Sequence, residues 1–445
     1  MKNSALKFYS FLSQDFLRAN VCAAPFVVLR WVFGMLMAGG TIRFLSLGWV
    51  EDHYIQPVFH FRYFGFGWVP VFSGTILYGI HYLMIASAIC LSFGWWYRIS
   101  ACVLFLSFTY TELIDLSYYL NHYYFVSLAC LLFCLAPIPV RHPDFPRYGI
   151  VPHWSLGMFR LLICIVYLYA GLAKINTAWL LEALPLKIWL PAHDNLPLIG
   201  PLLALKSTAY IFSWAGMLYD CSIPFLLMWS RSRPLAFALV VIFHLITGIL
   251  FQIGVFPVVM MGAALVFFSA PWHRNLLSWL RFIPAGFTSA PLRPVTQKII
   301  LGFLILFFGF QILFPWRYLL YPGNIFFTEQ GYRFSWRVML MEKAGTAQFY
   351  VKDGKTGREG LVVNSDFLNI HQEKQMAMQP DMILQFAHFL GAHYAARGMS
   401  KPRVRAEVYV TLNGKPGCLL INPHADLMEE EDGWEHKKWI MPDEN

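Results

Sequence analysis

Charge is what this sequence has least of. Only 13% of its 445 residues are Asp, Glu, Lys or Arg, whereas 58% are hydrophobic and the mean hydropathy is +0.51. Soluble globular domains carry about 25% charged residues. The composition therefore excludes a soluble globular fold for most of the chain and indicates an integral membrane protein.

Acidic residues are particularly scarce in the first part of the chain. Residues 1–320 contain 20 Lys and Arg but only 9 Asp and Glu, and the remaining residues contain 14 and 16. This change predicts a domain boundary near Tyr321-Pro322-Gly323, with a membrane domain over 1–320 and a smaller polar domain over 321–445. Because the net charge of +9 comes from the membrane part, it indicates membrane topology and not a nucleic-acid-binding surface.

Cysteine pairs are also missing. Seven of the eight cysteines lie in or beside apolar segments, and Cys418 is alone in the polar part, so we expect no disulfide within that domain. Cys130 and Cys134 are one helical turn apart but have no further Cys or His nearby, so no metal site is expected. We also expect no cleavable signal peptide in the first 20 residues, which are mixed and amphipathic.

Long apolar runs are what the sequence has in abundance. Nine of them approach or exceed the length needed to cross a bilayer. Basic residues fall on alternate connections between these runs, which favours a cytoplasmic N-terminus and an extracytoplasmic C-terminal domain, in a bacterial inner membrane or the ER. We therefore predict an all-α polytopic membrane bundle of about nine transmembrane helices, with a small extracytoplasmic α+β or β-sandwich-like C-terminal domain. The runs are Phe26–Ser46, Thr75–Trp95, Ile99–Leu116, Tyr123–Ile138, Leu156–Ala173, Tyr210–Trp229, Leu235–Phe251, Val255–Ser269 and Ile299–Leu319.

One of these runs ends on a lysine. The helix predicted before Lys174 carries small and polar residues on one face, which lets a neighbouring helix or a ligand approach its backbone closely. Two interpretations of the lysine remain open. It is either a side chain that extends to the membrane interface or an amine kept uncharged by burial that serves as a base. The residues on this face are Tyr167, Ala170, Gly171 and Lys174.

Further polar groups are predicted at the same membrane level. Asn121 and His122 begin the fourth apolar run, and the loop after the first run contains His53, His60 and Arg62. A single interfacial histidine is usually structural. Several polar side chains at one level, beneath a folded domain, favour a binding or catalytic site.

The polar C-terminal part has short alternating patterns. Residues 333–343 and 347–363 are predicted as strands, the latter forming a hairpin with a turn at Asp353-Gly354. Residues 382–396 have helical periodicity, and residues 405–421 predict a second hairpin through Asn413-Gly414. These patterns indicate an α+β or sandwich-like domain.

Several motifs resemble those of one enzyme family, in the same order along the chain. The family is that of the vitamin K-dependent gamma-glutamyl carboxylases and their bacterial relatives, the horizontally transferred transmembrane (HTTM) proteins. The likeness extends over nearly the whole chain. The motifs are GWWYRIS (94–100), YYLNHYYF (118–125), AGLAKINTAW (170–179), MLYDCSIPFLL (217–227), FHLITGILFQIGVFP (243–257) and FFTEQGYRFSWRVML (326–340).

The resemblance implies roles for individual residues. Lys174 matches the proposed catalytic base, and His122 matches a histidine that works beside it, oriented by Asn121. Tyr332 and Trp336 match a segment that covers the active site and helps to bind substrate, whereas the neighbouring Arg337 and Met341 depart from the residue types of the animal enzymes. The other candidates for substrate or cofactor binding are Tyr119, Tyr167 and His244.

The activity implied by the resemblance is a coupled reaction. Reduced vitamin K, a menaquinol-type naphthoquinol, is oxidised by O2 to its epoxide while CO2 is added to the gamma carbon of a glutamate in a peptide or protein, without a metal. The expected partners are that glutamyl peptide and membrane lipid or quinol, but no nucleic acid. Two alternatives remain: a quinol epoxidase or oxidoreductase without peptide carboxylation, and a non-catalytic membrane scaffold or lipid-binding protein. A transporter is least expected, because the polar residues are predicted on one side of the membrane only.

Overall fold

The first part of the chain is a bundle of helices. A computed structural model describes residues 19–251 and 253–443, so the prediction of no signal peptide falls largely on residues outside the described part. A short antiparallel pair, β1 (Asn20–Cys22) with β2 (Ile150–Pro152), ties the start of the bundle to its middle. The helices are α1 (Ala24–Ser46), α2 (Gly74–Phe93), α3 (Tyr97–Ile114), α4 (Asn121–Leu135), α5 (Trp154–Ala173), α6 (Lys206–Met228), α7 (Arg233–Leu250), α8 (Phe256–Ala264), α9 (Ala270–Trp279) and α10 (Pro294–Leu313).

Each of the nine predicted apolar runs coincides with a helix, but not every helix is suited to cross a membrane. Within the described ranges, six helices (α1, α2, α5, α6, α7 and α10 with its following turn) are long and apolar enough. A seventh span is possible if the bent pair of α8 and α9, which meet at 119°, is counted as one. Helix α3 carries Arg98 and Glu112, and α4 has only 15 residues. The chain is an integral membrane protein, and the number of nine spans stays a prediction.

Glycine allows two helix pairs to approach closely. A Cβ atom added to Gly34 of α1 would lie 2.2 Å from Ser92 Oγ of α2. A Cβ atom on Gly171 of α5 would lie 2.6 Å from Cys221 Sγ and 2.8 Å from Cys221 N of α6. Any larger residue at Gly171 would therefore push α5 away from α6, which matters because both helices supply charged groups to the site described below.

The C-terminal region contains one four-stranded antiparallel sheet in the order β4-β3-β5-β6. Both predicted hairpins are present, and the second turns through Asn413 and Gly414 at positive φ, the conformation that Asn-Gly turns favour. Helix α12 packs on β3 and β5, which makes an α+β arrangement instead of a sandwich. The elements are β3 (Lys343–Lys352), β4 (Glu359–Leu361), α11 (Ile370–Met376), α12 (Pro380–Ala396), β5 (Arg403–Leu412) and β6 (Cys418–Leu419).

The prediction of a strand over residues 333–343 is wrong. This segment is irregular until β3 begins at Lys343, and three of its residues, Phe334, Trp336 and Met339, have positive φ values between 53° and 58°. Non-glycine residues rarely adopt this conformation, which a regular strand does not contain.

Hydrogen bonds hold the C-terminal region over one end of the bundle. Gln372 of α11 donates to Phe59 O at 2.8 Å and to the Asp115 carboxylate at 2.7 Å, and His60 Nδ1 lies 3.1 Å from the same carboxylate. Gln385 of α12 exchanges two hydrogen bonds with the backbone of Arg62. These contacts explain the buried Asp115 and fix the C-terminal region above the end of α3 and the loop between α1 and α2.

Candidate active site at the junction of bundle and C-terminal region

Lys174 lies directly after α5 and is buried. Its Nζ donates to Asp220 Oδ2 of α6 at 2.7 Å and to Ala170 O at 3.1 Å, and only 6% of the residue is exposed. The ring of Trp179 lies 5.3 Å from the same nitrogen. The amine therefore does not extend to the interface: it points back into the bundle, where it meets a buried carboxylate.

A mainly apolar cavity opens beside this ion pair. Its volume is about 100 Å³. Aromatic and aliphatic side chains from α5, α6, α7 and α8 form its walls, and Val338 and Met339 close it from the irregular segment. We call it the lysine cavity. Its polar side chains include Tyr167, Lys174, Asp220, His244 and Thr247, and its aromatic walls include Trp179, Trp189, Phe212, Phe243, Phe251 and Phe256.

Two of the predicted binding residues meet in the lysine cavity. The Tyr167 hydroxyl lies 2.9 Å from His244 Nε2, so α5 and α7 are joined next to Lys174. His244 Nδ1 is buried, and no described residue accepts a hydrogen bond from it or donates one to it. Tyr167, Lys174 and His244 thus form one wall with hydrogen-bonding groups in an otherwise apolar space.

His122 lies next to the lysine cavity but does not line it. Its ring stacks on Phe256 with centroids 5.6 Å apart. It also makes an edge contact with the Tyr123 ring, whose centroid is 4.5 Å away. Phe256 lines the lysine cavity and also contacts the His244 ring at 6.2 Å. A direct role of His122 beside Lys174 would therefore require the Phe256 ring to move.

Asn121 and Tyr119 hold the irregular segment instead. Asn121 Nδ2 donates to Arg337 O at 2.9 Å, and the Tyr119 hydroxyl donates to Asn121 Oδ1 at 3.1 Å while accepting from Phe334 N at 2.9 Å. Trp336 is completely buried and stacks on Tyr124 of α4 with centroids 4.9 Å apart. The irregular segment therefore contacts the start of α4.

A second and larger cavity lies on the other side of the segment. It has a volume of about 590 Å³ and extends from α3, α4 and α10 up to the C-terminal region. Tyr332 and Phe334 face it, as do Tyr119 and Tyr124. We call it the junction cavity. Residues 332–339 therefore separate the lysine cavity from the junction cavity. Three of these residues have positive φ values, and strained backbone of this kind is typical of ligand clamps and active sites.

An ion pair anchors the segment to α12. Arg333 bonds the Asp381 carboxylate and the Gln379 side chain. Burial alone would raise the pKa of Asp381, but the Arg333 guanidinium overcomes this effect and holds that pKa below its usual value of 3.8. A carboxyl group with a lowered pKa in the folded state stabilises the fold above its unfolded pKa, and this stabilisation is lost as the pH falls through the folded value.

We expect Asp381→Asn to loosen the segment. The partly buried guanidinium would lose its counter-charge, so residues 333–339 should become more accessible to protease at neutral pH. The wild-type protein should show the same change only at a pH below 3.8, because the pKa of Asp381 in the folded protein lies below that usual value. Limited proteolysis followed by mass spectrometry measures both effects. Equal cleavage of variant and wild-type protein at pH 7 would contradict this assignment.

Sequence reasoning missed the partner of Lys174. Asp220 is 46 positions away on another helix, and only its place as a single acid in an apolar run marks it as unusual. Sequence reasoning also missed the partly buried ion pair of Arg333 with Asp381, because each residue alone looks like an ordinary surface charge. The structure brings the predicted residues Lys174, Tyr167 and His244 together at the lysine cavity. The other predicted residues lie in or against the irregular segment between the two cavities: Tyr119, Asn121, Tyr332 and Trp336.

Two family models match the chain. Residues 19–272 match the HTTM domain, and residues 296–445 match the vitamin K-dependent gamma-carboxylase, lumenal domain. No solved structure matched the chain. The HTTM match covers more than half of the 445 residues, and the second match covers most of the rest. The chain therefore belongs to the vitamin K-dependent gamma-carboxylase family.

Proposed function

We propose that this protein is a vitamin K-dependent gamma-carboxylase. When bound, reduced vitamin K would react with O2 and supply the strong base that takes a gamma proton from glutamate, so that CO2 adds to the carbon and the quinone leaves as its epoxide. The observation that carries the proposal is the pairing of Lys174 with Asp220 at the wall of an apolar, aromatic cavity. Aromatic walls suit a flat naphthoquinol ring, for which the cavity would have to widen beyond its volume of about 100 Å³, and the polar groups of Tyr167, Lys174 and His244 would meet the oxygens of the ring.

Lys174 acts as the base because Asp220 keeps its amine uncharged. The pair with one shared proton is either ammonium with carboxylate or amine with carboxylic acid, and an apolar cavity favours the form without charges. In that form Asp220 holds the proton and the amine of Lys174 is free to accept one from the quinol. The resulting ammonium would stand beside the quinol anion, where a neighbouring positive charge stabilises it.

The junction cavity provides room for the second substrate. It adjoins the segment of Tyr332 to Met339, whose other end closes the lysine cavity. A glutamyl side chain entering there would reach the quinol site past Trp336 and Phe256, with His122 close to its path. Exclusion of water matters in this place, because water would quench both the base and the glutamate carbanion.

The decisive experiment supplies purified protein with reduced naphthoquinone, O2, labelled CO2 and a glutamyl peptide. The proposal predicts epoxide and carboxyglutamate in comparable amounts, each measured separately. Epoxide without carboxyglutamate would point to a quinol epoxidase instead. Neither product from a folded protein would favour the scaffold or lipid-binding alternative and contradict the enzymatic proposal.

We also propose that the C-terminal region lies outside the cytoplasm, as the basic connections indicate. A tag inserted in the exposed loop at Lys355–Thr356, or a label on Cys418, should then react with an impermeant reagent in intact cells. A tag at the connection near Arg231, which carries the basic residues, is the control and should react only after permeabilisation. The opposite pattern would contradict the topology.

A further inference from the structure

The junction cavity contains charged side chains that no ion pair accounts for. Glu112 of α3 has no hydrogen bond or cation among residues 19–251 and 253–443, and Arg317 has no carboxylate partner there. Glu435 is exposed at the cavity rim. The other charged residues that line the cavity are paired: Asp381 with Arg333, Asp432 with Lys437, and Glu329 with Lys343.

Glu112 and Thr109 form a polar patch on the cavity wall that α3 contributes, which we call the floor. Glu112 lies less than one turn before the end of α3 at Ile114, and Thr109, one turn earlier on the same face, also lines the cavity. Thr109 Oγ1 is buried, and the described chain provides no partner for it. Without a positive partner, an enclosed carboxyl group favours its uncharged form, and a buried hydroxyl without a hydrogen bond is costly. A ligand that brings a cationic donor to this floor would stabilise the Glu112 carboxylate and offer the Thr109 hydroxyl a partner.

Aromatic rings around the floor favour a cation. Tyr63, Phe105 and Tyr124 line the same cavity, and the faces of such rings attract ammonium and guanidinium groups. The floor thus combines a carboxylate with aromatic surfaces, which is the chemistry that recognises organic cations.

Arg317 supplies the complementary charge on another wall of the junction cavity. It follows the end of α10 at Leu313, rests 4.0 Å above the Phe314 ring and donates to Phe314 O at 3.1 Å. The cavity therefore offers an anion a position beside Arg317 and a cation a position beside Glu112.

We propose that the junction cavity binds a glutamyl peptide in which a lysine or arginine lies close to the reactive glutamate. The basic side chain would reach Glu112 and Thr109, while a carboxylate of the peptide meets Arg317. The inference rests on the proposed function for the glutamate itself and adds the charge of its neighbour. It names Glu112 as the residue that selects the peptide.

Binding of labelled peptides to purified protein without quinol tests this selection. Matched peptides carry one glutamate and, one or two positions away, either lysine or the uncharged norleucine. Because hydrogen bonds to charged groups contribute substantially more than neutral ones, we expect the lysine peptides to bind about tenfold to a hundredfold more tightly. Glu112→Gln should remove this preference, and Glu112→Asp should retain much of it. Glu435→Gln removes a carboxylate from the exposed rim of the same cavity and should leave the preference unchanged.

Equal affinities for the two peptides in the wild-type protein, or a preference that survives Glu112→Gln, would overturn the inference. A Glu112→Lys protein that prefers a peptide with glutamate in place of the lysine would support it strongly. The measurement does not depend on turnover. A charge preference without any epoxide or carboxyglutamate would therefore contradict the proposed function and still support the cation site.

Discussion

Lys174→Arg is expected to abolish epoxide formation without unfolding the protein. Arginine can still pair with the Asp220 carboxyl group, but a guanidinium stays protonated and cannot serve as a base. Loss of a general base lowers rates by about 10²–10⁴-fold. Quinol turnover measured by chromatography of the epoxide, together with thermal unfolding in detergent, separates the lost chemistry from lost stability.

Lys174→Ala should be equally inactive and offers a chemical rescue. A small primary amine that enters the lysine cavity should restore part of the epoxide formation in this variant. The same amine should not rescue His122→Ala, where we expect a smaller loss caused by weaker stabilisation of anions. Substantial quinol turnover by a folded Lys174→Arg or Lys174→Ala protein would refute the assignment of the base.

The second large effect concerns the stability of the bundle. Lys174 and Asp220 are both buried and hydrogen-bonded, so Asp220→Leu leaves the Lys174 amine without its partner and should destabilise the protein by about 1–3 kcal/mol. Adding Lys174→Met to this variant should restore most of the stability, because replacing both partners of a buried polar pair by apolar groups costs little. The double variant should remain inactive.

Thermal unfolding of the two single variants and the double variant gives the coupling between the residues. Additive losses, with the double variant the least stable of the three, would show that the two side chains do not form a pair. Glu182→Leu is a suitable control, because this acid lies beyond the end of α5 and takes no part in the lysine cavity. Its effect on stability should be small.

Much of the helical part could be predicted from composition and periodicity. Apolar runs identify helices because lipid requires every backbone group to be bonded within its own segment. The number of spans was harder to predict, since Arg98 and Glu112 reduce the hydropathy of α3 and only the structure shows that Glu112 faces a cavity. Hydropathy alone cannot distinguish a lipid-facing polar residue from one that lines an internal space.

The hairpins of the C-terminal region were predictable because Asn413-Gly414 adopts a turn that few other sequences favour. The segment around Trp336 was not, because its alternating pattern mimics a strand while its backbone is held by Asn121, Tyr119 and Arg333. Local rules often fail at functional sites, where tertiary contacts impose a strained conformation. The strand prediction therefore failed at the segment that separates the two cavities.

Lys174 could be recognised from its motif, but its chemical state depends on a contact between distant residues. The motif alone leaves open whether the amine lies at the interface or within the bundle. Gly171 allows α6 to approach, and this approach brings Asp220 to the amine. Sequence spacing on one helix cannot reveal such a partner on the next.

The central claim, that Lys174 takes a proton from a bound quinol, can be measured without oxygen. Reduced naphthoquinone is phenol-like, with a pKa of about 10, and is therefore almost entirely neutral in solution at pH 7. An anaerobic difference spectrum should show the quinol anion when the quinol binds the wild-type protein, and no anion when it binds Lys174→Arg. Quinol that binds both proteins with equal affinity and stays neutral in both would contradict the account.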